Sequence, residues 1–115
     1  MLIPVEIMLR GNNRVFTDAV TYPVEAAAWT EADAAAVLKA ILVTISRVQN
    51  PGSEPTDVQL RGVNWIVHPG EGGQVIALEI HSASAVAGPV PVPQATLDAL
   101  ITRAVAASTA PRFVH

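Results

Sequence analysis

The sequence predicts a two-layer α+β domain: a four-stranded, mostly antiparallel sheet in the order ββαββα, with two helices packed on one face. Two observations point there. Segments alternating apolar and polar residues come in pairs around glycine- or asparagine-rich turns, and each pair is followed by a segment with apolar residues at helical spacing. A third observation concerns the surface. The chain of 115 residues is 50% apolar and only 15% charged, with a mean hydropathy of +0.38. One core fits that length, placed at residues 1–107 with a tail at 108–115, but so few charges leave part of a small domain's exterior to be covered by protein.

Ile3, Val5, Ile7 and Leu9 alternate with Pro4, Glu6, Met8 and Arg10, which makes the first segment a strand. Asn12-Asn13 offers a two-residue turn into a second strand from Arg14 to Tyr22, a register that pairs Leu9 with Phe16 and Val5 with Val20. It also sets Asp18 on the apolar face opposite Ile7. Either the register differs, or Asp18 is a carboxylate at the edge of a buried surface. Tyr22 and Trp29 bracket the next loop, where aromatic rings close over a cavity or, more commonly, seal the core edge.

Thr30 followed by Asp33 reads as a capping box with aspartate in place of the usual glutamate, so a helix should run from Glu31 to about Val48. Val37, Ile41, Ile45 and Val48 form one stripe, Leu38 and Leu42 widen it, and Val43, Ala34 and Ala40 leave little of its circumference polar. Such a helix is covered on more than one side. Asn50-Pro51-Gly52 ends it.

A second hairpin is expected from Val58–His68 and Gln74–Ser82 around the loop Pro69-Gly70-Glu71-Gly72-Gly73. With His68 opposite Gln74, one face carries Leu60, Gly62, Asn64, Ile66, Ile76, Leu78 and Ile80. The reverse face holds Val63, Trp65, Val67, Val75 and Ala77. Both faces are then apolar, and something must cover the second. Ser84 to Val86 extends this strand or starts a loop. Gly88-Pro89-Val90-Pro91-Val92-Pro93 is expected as an extended connector, because prolines lack the amide donor of a central strand. A closing helix should span Gln94 to about Ala107, with Leu97, Leu100, Ile101 and Val105 as its apolar stripe.

Several function classes are disfavoured. A formal charge of −3, one lysine and scattered arginines make no footprint for a phosphate backbone. No cysteine is present, so thiolate metal sites and thiol nucleophiles are ruled out. Ala32 to Ile45, interrupted by Asp33 and Lys39, is too short to span a bilayer. The opening residues read as a strand rather than a secretory signal, so the cytoplasm is the default expectation.

Chemistry has one candidate group. Arg61, Glu79 and His81 share a strand face in the expected register, where an anion-holding guanidinium would meet a carboxylate–imidazole pair. This would suit a small isomerase- or hydrolase-like enzyme. The same three residues also suit a charged rim around an interface, and no nucleophile accompanies them. His68 and His81 have no recognised metal spacing, and Gly70-Glu71-Gly72-Gly73 lacks the lysine and helix of a phosphate loop. No metal or cofactor is expected. The leading expectation is a non-enzymatic module that forms a homo-oligomer, a dimer, through Val63, Trp65, Val67, Val75 and Ala77, and binds a partner protein or a small apolar ligand.

Overall fold

The computed structural model describes residues 1–52, 60 and 63–109, with the side chains of 108 and 109 left aside. The expected class holds, with one strand more than expected. The elements are β1 (Leu2–Leu9), β2 (Val15–Thr21), a short 3-10 turn at Ala26–Ala28, α1 (Glu31–Gln49), β3 (Asn64–Gly70), β4 (Gly73–Ile80), β5 (Ala83–Val90) and α2 (Gln94–Thr109). All sheet pairings are antiparallel, in the order β2-β1-β5-β4-β3. The expected boundary at 107 falls inside α2, and residues 110–115 lie outside the described residues.

β5 corrects the four-strand expectation, and it is the central strand. Its prolines suggested a connector, yet only Pro89 falls within it. Pro89 lies beyond the last pair with β1, Val5 with Ala87, and next to the register shift between Gln74 and Ile76 on β4. The missing amide therefore falls where no regular ladder needs it. Ala83, Ala85 and Ala87 are buried, and α1 crosses over them. Small side chains let a helix approach the middle of the sheet, and they also hide a strand from propensity-based reading.

α1 begins as its sequence dictates. The Thr30 hydroxyl accepts from the Asp33 amide at 3.3 Å while Asp33 accepts from the Thr30 amide at 2.8 Å, so both halves of the capping box are formed. Val37, Leu38, Ile41, Leu42 and Ile45 are buried against β1, β2 and β5 on one side and α2 on the other. α2 seats Leu97, Leu100, Ile101 and Ala104 in the same core and reaches β3. Both helices thus cover one face of the sheet, against Ile3, Val5, Ile7, Ile76 and Leu78.

The two hairpin registers differ from expectation in different ways. The β1–β2 turn is not built on Asn12-Asn13. Gly11 takes the positive φ, 81°, and the Asn12 amide bonds to the Leu9 carbonyl, which displaces the ladder by two residues to Ile3 with Val20 and Ile7 with Phe16. A shift of two keeps every side chain on its expected face. Asp18, opposite Val5, is the carboxylate at the edge: it sits exposed on an outer strand and accepts from the Ala19 amide at 2.8 Å.

The β3–β4 turn consists of Glu71 and Gly72 alone, so His68 faces Val75 instead of Gln74. A shift of one turns β3 over. Trp65 and Val67 now share the helix side with Leu78 and Ile76, while Asn64 and Ile66 stand on the opposite side with Glu79 and Ala77.

Candidate functional site

Among the described residues, no helix lies on the second face of the sheet. Across it run Thr17, Glu6, Val86, Ala77 and Ile66 in one row, and Val15, Met8, Ser84, Glu79 and Asn64 in the next. The large exposed apolar side chains among the described residues are Leu2, Met8, Val15, Ile66 and Val86, between 43 and 64% exposed, and every one of them points to this face. A sheet with water on one side normally alternates apolar with polar. Here four of the five strands expose a large hydrocarbon on the open side.

Two adjoining clefts mark this face. One of about 440 Å³ is lined by Asn64, Ile66, Ala77, Glu79, Ser84 and Val86, among others. The other, of about 180 Å³, is lined by Met8, Arg10, Glu79, Ala83 and Ser84, among others. They share Glu79 and Ser84. Small Ala77 and Ser84 form the low ground between the taller Met8, Val86 and Ile66.

The five residues expected to form an interface do not stay together. Val75 and Ala77 lie on the open face, half-buried. Val63 and Trp65, also half-buried, pack against the core, and Val67 is buried in it. The one-residue difference in register is the cause. Trp65 therefore belongs to the side of the sheet on which the core lies, and the apolar excess of the open face comes mainly from other residues. Met8 gives a signal for them in the sequence, since it stands in the polar phase of β1; Val86 ends a segment that the sequence leaves open between a strand extension and a loop.

The acid–base group is likewise not assembled as the sequence suggested. Glu79 is exposed on β4, whereas His81 is exposed in the turn between β4 and β5 and so loses the strand alternation that would set it beside Glu79. Arg61 lies outside the described residues. Among the described residues no hydrogen bond or ion pair joins Glu79 to His81, and no three His, Cys, Asp or Glu side chains gather as a metal site would require. His68 is exposed, with Nδ1 3.3 Å from the Pro69 carbonyl oxygen.

The best-organised polar cluster lies elsewhere, where β2 meets α1. The Tyr22 hydroxyl donates to Asp33 at 2.7 Å, the Trp29 indole donates to the Val24 carbonyl at 2.9 Å, and the two rings meet edge-on with centroids 6.1 Å apart. The hydrogen bond to Asp33 is the main reason the Tyr22 hydroxyl titrates above its ordinary value, with burial and the Asp33 charge adding to it. The Thr30 amide, followed by the Tyr22 hydroxyl, holds the Asp33 carboxyl below its ordinary value against an opposing effect of burial. Both shifts move away from neutrality, the reverse of what general acid–base work needs. This cluster fastens the helix start to the sheet edge, as the aromatic pair suggested.

No family model matches this chain, and comparisons with curated proteins and with solved structures likewise find no match.

Proposed function

We propose that the chain is a non-enzymatic assembly module whose open sheet face packs against that of a second copy to form a homodimer. One observation carries the reading: among the described residues, the exposed large apolar side chains are confined to the face without helices. Area supports a second copy as the occupant. Strands of seven or eight residues, about 3.3 Å apart along the chain and about 4.8 Å between strands, give a face of roughly 600 Å². Two such faces bury about 1,200 Å², the lower end of specific interfaces. Charge supports it too, because the strands present only Glu6 and Glu79 as charged groups on this side.

A small apolar ligand has less to hold it. The larger cleft has a volume within the usual range for a ligand site, but its walls are strand side chains and no helix roofs it. Closure by a second sheet would supply that roof.

Sedimentation velocity tests the reading. Wild type should sediment as a dimer at about 100 μM, as a small interface allows. Val86→Glu, on the central strand, should be monomeric there and keep its circular dichroism spectrum, since an uncompensated carboxylate at the middle of the contact weakens association by about 100-fold or more. A wild-type chain that stays monomeric overturns the reading.

A further inference from the structure

We propose that the two copies meet about a two-fold axis running along β5, so that Arg10 of each copy pairs with Glu79 of the other. The inference rests on the face-to-face reading above and adds its symmetry. Arg10, just past the end of β1, and Glu79, on β4, flank β5 and line the same 180 Å³ cleft. Neither side chain has an ion-pair or hydrogen-bond partner among the described residues. Covering the face would strip water from both charges, and a charge left unpaired in an interface is strongly destabilising. In a two-fold interface, a contact from one residue to another is always made a second time in reverse. A single exchange therefore satisfies four charges.

The sheet order selects the axis. β5 is third of five strands, so a rotation about it lays β1 on the second copy's β4 and β2 on its β3, with no strand left uncovered. Levels along the strands are preserved. Val86 then meets its own counterpart, Glu6 comes over the second copy's Ala77, where there is room, and Met8 comes over the row that holds the second copy's Glu79. Arg10 lies one step beyond Met8 on the same side and reaches that carboxylate. The strands of the two sheets run nearly parallel, the aligned packing that twisted sheets favour. An axis across the strands would cover the face equally, but it sets each strand on its own copy and brings Arg10 over the Leu2 end of β1, where no carboxylate waits.

The test uses two charge reversals. Arg10→Glu and Glu79→Arg should each weaken dimerisation by at least 100-fold, because each fills the contact with like charges. An equimolar mixture of the two should form a one-to-one heterodimer within about tenfold of wild-type affinity, measured by sedimentation and by native mass spectrometry, since every pair is again opposite. A mixture that stays monomeric while wild type dimerises overturns the pairing and leaves the face-to-face reading standing; a monomeric wild type overturns that reading itself. Ser84→Cys provides an independent check in a chain without cysteine. Ser84 sits on the axis and packed sheets lie about 10 Å apart, too far for a disulfide but within reach of a short bismaleimide, so that reagent should join the two copies of this variant, and failure of a dimeric Ser84→Cys to crosslink counts against the axis.

Discussion

Val67 and Ile66 are neighbours on β3 with opposite fates, and replacing each with threonine separates the observed register from the one the sequence suggested. Val67 is 6% exposed beneath the helices, and Ile66 is 57% exposed on the open face. Threonine keeps the β-branched shape at both positions, so strand preference changes little. At Val67 the change trades a buried methyl for a hydroxyl with no designated partner, which costs about 2 kcal/mol. For a domain of this length that lowers Tm by about 8 °C. At Ile66 the folded monomer loses little, within about 0.5 kcal/mol. The assay is guanidinium unfolding followed by circular dichroism, at concentrations where the chain is monomeric so that association does not enter. A ranking with Ile66→Thr as the costlier change would mean that β3 presents its other side to the helices, and the description of the open face would fail with it.

Thr30→Ala removes the hydroxyl half of the capping box and should cost about 1 kcal/mol in urea unfolding; no loss would show that the cap is redundant. Asp33 titrates below its ordinary value in the folded chain, so its stabilising contribution is present above the unfolded carboxylate range and disappears as pH falls through the folded value. The urea midpoints of wild type and Asp33→Asn should accordingly converge as pH drops from about 6 to about 2; parallel curves would refute this. Gly73 has a φ of 154°, and a Cβ there would lie 2.6 Å from the Val90 carbonyl oxygen, so Gly73→Ala should destabilise by about 2 kcal/mol or more in the same assay.

How much of this was legible depended on whether the signal was local. The α1 cap was readable because Thr30 and Asp33 answer each other across three residues, and α1 and α2 because their stripes repeat within a few turns. β1 was readable from alternation alone. Registers were not, because they depend on which residues form the turn. At the first hairpin the error of two residues did no harm to the faces, since strand side chains repeat every two. At the second, counting five loop residues instead of two displaced the pairing by one and assigned Trp65 and Ile66 to each other's places. β5 escaped because alanine, serine and glycine carry no strand signature, and their purpose emerges only once α1 is seen lying across them. The candidate site inherited both errors. The expectation of self-association rests on the apolar excess, which is a property of composition and independent of register, and on a hairpin apolar on both faces, whereas the residues named for it depend on the register.

The position of β5 also sets the order in which the sheet can be completed. β1–β2 and β3–β4–β5 are each built from neighbouring stretches of chain, and within the sheet the two halves are joined through the ladder that pairs Leu9 with Ala83 and Val5 with Ala87. As the chain leaves the ribosome, β1 waits with its inner margin bare until β5, more than seventy residues later, has been made, a long loop closure of the kind that slows folding. During that interval the β5 of another molecule can fill the gap as well as its own. The strand that knits the monomer together is thus also the one most open to being lent between chains.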